Sequence, residues 1–325
     1  MTGAEVTEQD NAQKHAGKLR EKGASSRGLR HATLWVLAAA FSWATVLLAS
    51  GPLRALRLAS PSWVYWPMAI LVSAGFWAAS TWVPGLQLAA VSFLAIAVVI
   101  GLFTEVESWG VGRGHAAIAS ICALVAGVGV GFGAWCRSMK ISPATWLTKW
   151  VEPMVVKAKE LNPALDFSAE SVVSQLPSGL VVLSLVALAI AILSERTWLR
   201  AIGSRRRSPR KWTDFKLWDA SIFVLMAVLL GAFTQHGVKA VTVASLNALN
   251  IMVVLYFFQG MAVVFKALEF FAVGPFWRML IGFILTFLLA LVVAMVGVAD
   301  YWLEFRNRLK RQTGSPVTGT DSNQN

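Results

Sequence analysis

A chain of 325 residues that is 56% hydrophobic and only 14% charged, with a mean hydropathy of +0.61, lies outside soluble globular usage, where about a quarter of residues carry charge. Composition therefore indicates an integral membrane protein. A net charge of +12 does not call for a nucleic-acid partner, because the basic residues fall in short segments beside apolar runs, as membrane orientation requires.

Residues 1–31 are polar and carry Lys14, Lys18, Arg20, Lys22, Arg27 and Arg30. They read as a disordered basic tail. The apolar run behind them, Ala32 to Ala49, exceeds the roughly 7–15 residues of a signal-peptide core and reads as a retained span. Eight runs have the length and composition of helical spans: 32–50, 62–82, 85–104, 115–136, 177–194, 217–234, 243–266 and 275–299. About twenty apolar residues at about 1.5 Å each cross a hydrocarbon core of about 30 Å. The expected fold is thus an all-α polytopic transmembrane bundle of about eight spans, four in 32–136 and four in 177–299. Sheet is excluded, since open edges in lipid leave backbone groups unsatisfied and the runs lack barrel alternation. Trp63, Trp66, Trp82, Trp109, Trp135, Trp198, Trp218, Trp277 and Trp302 lie near the expected boundaries, where indoles prefer the headgroup layer.

Between the fourth and fifth runs, residues 137–176 place Trp146, Leu147, Trp150 and Val151 on one helical face among charges. With Pro143, Pro153 and Pro163 cutting it into short pieces, this reads as an interfacial amphipathic segment. The loop 195–216 includes Arg205-Arg206-Arg207 and Arg210-Lys211 and by itself demands a cytoplasmic position. Eight spans, however, put it opposite both termini, and the Lys/Arg totals of the two sides nearly balance. Orientation stays open.

The fourth run carries Gly127, Gly129, Gly131 and Gly133, two overlapping small-xxx-small pairs that suit close helix packing in lipid. The seventh run is the most polar, with Asn247, Asn250, Tyr256, Gln259 and Lys266 in or beside one apolar segment. An amide in hydrocarbon needs partners, so these side chains either make interhelical hydrogen bonds or line a polar cavity for a small solute. Asn247, Asn250, Gln259 and Tyr256 are the candidate substrate-binding residues. The acidic residues Glu105, Glu107, Glu195, Asp219 and Asp300 all fall at run ends, where carboxylates are usually solvated. The uncharged run Met279 to Ala299 exits through Asp300 to Arg306, and Asp300 with Arg306 reads as an interfacial anchor. Glu304 precedes Arg308 in the favourable order for a helical ion pair, and residues 300–325 are expected as a helix exit and a disordered tail.

No motif carries catalysis, and no enzyme activity or cofactor is expected. Glu105, His115 and His236 lack metal-ligand spacing, Cys122 and Cys136 are too far apart along one helix to bridge, and no nucleophile turn occurs. The pattern Asn247-Ala-Leu-Asn250, Phe258-Gln259-Gly260 and Gly297-Val298-Ala299-Asp300 with Phe305-Arg306 resembles the YybS-like family of multi-span bacterial membrane proteins of unknown function, over about 217–311. The chain departs from that pattern at Asp219-Ala220, where the family commonly has a proline. The family is distantly similar to the substrate-binding subunits of energy-coupling-factor vitamin transporters. That resemblance implies solute binding and docking on a coupling subunit, for which Ala40 and Ala44 have small-residue spacing. The expectation is a bacterial inner-membrane protein that binds or transports a small solute beside the seventh run. The alternative is a membrane scaffold or assembly factor whose partners are other proteins.

Overall fold

The computed structural model describes residues 31–42, 45–83, 85–164, 166–202, 215–234, 238–305 and 308. Among them every regular element is helical and none is a strand. The helices are α1 (His31–Ser42), a 3-10 turn (Val46–Ala49), α2 (Ser50–Ala59), α3 (Ser62–Ala79), α4 (Leu86–Ser108), α5 (Arg113–Ser138), α6 (Pro143–Leu161), α7 (Ala169–Ala201), α8 (Ser221–Phe233), α9 (Lys239–Phe270), α10 (Pro275–Leu288) and α11 (Ala290–Leu303).

Four helices, α4, α5, α7 and α9, are long and apolar enough to cross a membrane, and five spans result if the bent pair α10 and α11 is one. That is fewer than the eight expected, and two differences have physical causes. The first apolar run is broken: α1 ends at Ser42, Thr45 is extended, and the chain restarts through the 3-10 turn into α2, with Pro52 in its first turn where the missing N–H costs nothing. The last run is also not one straight helix. It leaves helical geometry at Leu289 (φ −127°, ψ 25°), and α10 and α11 meet at 102°. Each has 14 residues and reaches about 21 Å, short of the bilayer core by itself.

Prolines proved weaker punctuation than expected. Pro143 occupies the first turn of α6, which runs 19 residues straight through Pro153. Pro177, expected to open the fifth span, lies inside the 33-residue α7. That helix also reaches past the expected start of the basic loop at 195, of which residues 203–214 lie outside the described residues, as do residues 1–30 of the basic tail.

The chain forms two compact units, Met1–Phe132 with Leu183–Ser208, and Gly133–Val182 with Pro209–Asn325. In the first, α4 packs on α3 and α2. Gly101 of α4 accommodates the Trp66 and Tyr65 rings, which stand 2.6 and 2.9 Å from where a Cβ would be, and the buried Tyr65 hydroxyl donates to the Ala97 carbonyl at 2.9 Å. The short helix α2 is buried all round from Ser50 to Leu56, and Gly51 lets Ser194 and Trp198 of α7 approach its backbone.

In the second unit α9 packs most extensively on α11 and next on α8. The contact with α11 is backbone against backbone. A Cβ on Gly260 would overlap the Val293 carbonyl oxygen, and one on Gly297 the Tyr256 carbonyl oxygen. Small residues at a crossing are how helices associate in lipid, where apolar side chains gain nothing by leaving solvent.

Candidate functional site

The chemically richest place in the first unit centres on Arg54, which is 1% exposed. Its helix α2 is set inside the unit by the break after α1, so a residue that reads from the sequence as part of a short loop is buried among helices. One guanidinium nitrogen, Nη1, donates to Thr104 Oγ1 at 2.8 Å. That hydroxyl donates in turn to the Ile100 carbonyl at 2.7 Å, which leaves its oxygen facing the arginine. Nη2 donates to Glu107 Oε2 and reaches Glu195 Oε2 at 3.4 Å. The planar group lies over the Phe103 ring, 4.6 Å from its centroid, an arrangement that suits a weakly hydrated cation.

Glu107 is shared. Its other oxygen accepts from Arg113 Nε at 2.7 Å, and Arg113 Nη2 lies 3.9 Å from Glu195, too long for a hydrogen bond but within ion-pair range. Beside this core, Arg57 donates to Glu105 Oε1 at 2.9 Å and to Ser62 Oγ at 2.6 Å, and the Trp66 indole donates to the same Glu105 oxygen at 3.0 Å. Three guanidinium groups thus meet three carboxylates from α2, α4, α5 and α7. The buried Nε atoms of Arg54 and Arg57 have no hydrogen-bond partner among the described residues. Buried charges without partners are costly, and three guanidinium groups set against three carboxylates leave no net charge over.

Glu105, Glu107 and Glu195 are not the solvated carboxylates at membrane surfaces that their positions in the sequence suggest. They are ion-paired instead, with Glu195 5% exposed. Arg54, Arg57, Arg113 and Thr104 are not among the candidates the sequence singles out. A faint signal exists: by the parity of the eight expected runs, the connections holding Arg54 and Arg57, Glu105 to Arg113, and Glu195 would share one side. No group of three His, Cys, Asp or Glu residues placed to hold a metal ion occurs among the described residues, and His236 lies outside them.

In the second unit the candidate residues of α9 separate into two places. Tyr256 and Gln259, 2% and 3% exposed, sit where α9 meets α11 and the segment leading into α8. The Gln259 amide donates to the Gly297 carbonyl at 3.0 Å and reaches Asp300 Oδ2 at 3.4 Å, while its oxygen accepts from the Leu217 backbone at 3.1 Å. The Tyr256 hydroxyl is hydrogen-bonded to Ser221 Oγ at 3.0 Å, inside an apolar cluster of Leu217, Ile222, Leu225, Met252 and Ala294. Asp300, expected as a surface anchor, is 5% exposed in this knot. Its expected companion Arg306 lies outside the described residues, and α11 stops at Leu303 with Glu304 left-handed.

Asn247 and Asn250 turn to α7. Asn247 is half-buried and bonds Ser174 and Ser178, while the exposed Asn250 donates to Gln175 Oε1 at 2.8 Å and Ser178 Oγ at 3.2 Å. A shallow apolar groove of about 370 Å³ lies along this stretch, lined by Phe167, Ser171, Val172, Gln175, Leu176 and Gly179 and not by either asparagine. On α5, a Cβ on Gly127, Gly129, Gly131 or Gly133 would meet no atom within 4 Å.

A family described as predicted membrane protein, DUF2232, matches residues 65–301. The chain belongs to this family. No curated protein and no solved structure matches it. The DUF2232 match spans α4 through α10 and most of α11, so it includes Glu105, Glu107, Arg113, Glu195 and all the α9 residues. It begins after Arg54 and Arg57, which this chain supplies from outside the matched span.

Proposed function

We propose that this is a multi-pass protein of the bacterial inner membrane that binds or moves a small polar solute, without catalysing a reaction, and that the ionic centre around Arg54 is its working part. The observation that carries this is the 1% exposed Arg54, held on a buried helix that follows the extended Thr45 and shared between carboxylates of α4 and α7. Buried ion pairs are poor stabilisers, since apolar replacements of similar volume often hold a fold better. In membrane proteins such residues mark solute and ion pathways, and broken helices at depth occur where the backbone is buried in protein or lines a cavity. The resemblance of the α9 and α11 motifs to YybS-like proteins, and through them to vitamin-binding transport subunits, supports the same class. The basic loop 195–216 favours the cytoplasm, and α7 leads into it just beyond Glu195, so the ionic centre lies toward the cytoplasmic side. Besides the solute, the partners are the bilayer and a coupling subunit or other membrane protein, and no nucleic acid.

Native mass spectrometry of gently purified protein tests this. A co-purifying small molecule is expected, lost in Arg54→Gln and Glu195→Gln and kept in Asn250→Leu. Wild-type protein that carries no small molecule would sink the proposal.

One observation favours a second reading, assembly with another membrane protein. The four glycines of α5 present an open notch, and such notches in lipid draw a second helix. In that case the same experiment shows a stoichiometric protein partner that Gly129→Leu releases without changing the melting temperature.

A further inference from the structure

Pro177 sits inside α7, where it has no N–H to offer the Val173 carbonyl and where its ring crowds that carbonyl outward. The bond that borders this defect is the one in which the Ser178 N–H returns to the Ser174 carbonyl, the ordinary i to i−4 link. Those two groups are the ones that Asn247 of α9 engages. Its Oδ1 accepts from Ser178 N at 2.9 Å and its Nδ2 donates to the Ser174 carbonyl at 2.8 Å. The second Nδ2 hydrogen goes to the Val243 carbonyl, one turn back on α9, at 2.9 Å. Two carbonyl acceptors and one N–H donor leave a single orientation for the amide, with nitrogen and oxygen assigned by the chemistry of their partners. Asn250 adds a second hold on the same turn through Gln175 and Ser178.

We infer that Asn247 is a latch: its amide spans the gap that Pro177 opens in α7, and residues 173–178 are a hinge whose closed state is set by α9. An asparagine chosen only to join two helices would reach a side chain or a single carbonyl. This one engages both the donor and the acceptor of the turn that borders Pro177. Pro within a membrane helix is tolerated when a neighbour satisfies the freed groups, and a neighbour's side chain can withdraw where a covalently local bond would not. The latch stands on its own geometry and does not depend on what the protein binds.

Hydrogen–deuterium exchange of the full-length protein in detergent or nanodiscs tests this with Asn247→Ala, Pro177→Ala and the double variant. Asn247→Ala is expected to speed exchange of the Ser174 to Gly179 amides about fivefold, as loss of a bond worth about 1 kcal/mol implies, with the amides of α4 unchanged as an internal control. In the double variant, the backbone regains an N–H at position 177 that donates to the Val173 carbonyl, the turn closes by itself, and protection returns to the wild-type level. If Asn247→Ala fails to fold, the double variant must fold and show that protection. Exchange unchanged in Asn247→Ala, equal acceleration with and without Pro177, or failure of the double variant to fold would each overturn the latch.

Discussion

A single methyl group on Gly260 or Gly297 is expected to prevent α8 to α11 from assembling. Each Cβ would lie inside a carbonyl oxygen of the facing helix, Val293 for Gly260 and Tyr256 for Gly297. Overpacking normally costs about 1–3 kcal/mol because side chains can rotate aside. Here the obstructing atoms are backbone, so the helices must separate. Separation strips Gln259 of the Gly297 carbonyl and of Asp300, and each buried polar group left without a partner costs about 1–3 kcal/mol more. Gly260→Ala and Gly297→Ala should therefore give little or no monodisperse protein on size-exclusion chromatography, and any that survives should melt more than about 10 °C lower. Gly129→Ala is the matched control. Its Cβ meets open space, and alanine favours the helix by about 1 kcal/mol over glycine, so the melting temperature should hold or rise. A Gly260→Ala protein that melts like wild type would show that α9 and α11 are not in backbone contact.

The contrast between these glycines shows where sequence reasoning stops. Four glycines in alternation on α5 look like a packing face, yet two solitary ones, Gly260 and Gly297, make the close crossing. A glycine's worth depends on the backbone opposite, which spacing along one helix does not reveal. Long uncharged runs were legible because hydrophobic length is a local property: 85–104, 115–136 and 243–266 correspond to α4, α5 and α9 with ends extended by a few residues. Pro177 misled as a helix start because the bonds that carry α7 past it come from Asn247, 69 and 73 residues away. At Leu289 there is neither glycine nor proline, so nothing local announces the bend.

The candidate site was illegible for a similar reason. Sequence gives the approximate depth of a charge but not its counterion, and the carboxylates facing Arg54 are 53 and 141 residues away. The α9 amides were visible one by one, as polar atoms in an apolar run. Their partners were not, and the partners are what separate a lining residue from a bridge between helices.

The ionic centre yields the other large effect. Arg54→Leu is expected to destabilise the first unit by about 3–5 kcal/mol, the usual cost of removing one member of a buried pair. Glu107 keeps Arg113 at 2.7 Å, but Glu195, 6% exposed at its side chain, keeps only Arg113 at 3.9 Å, and the Thr104 hydroxyl loses its donor. Most of the cost is thus the unpaired Glu195. It follows that Arg54→Leu/Glu195→Leu should be more stable than Arg54→Leu alone, although it departs further from the native sequence. Thermal unfolding in nanodiscs should show the single variant down by about 10 °C and the double variant recovering at least half of that. Neither shift should depend on ionic strength, because buried pairs are hardly screened. A double variant less stable than the single one would place the arginine's contribution in its packing over Phe103 rather than in the charge network, and a salt-dependent loss would show that the pairs are reached by solvent rather than buried. A double variant that folds well and no longer carries a co-purifying solute would separate what holds the helices together from what the ionic centre is for.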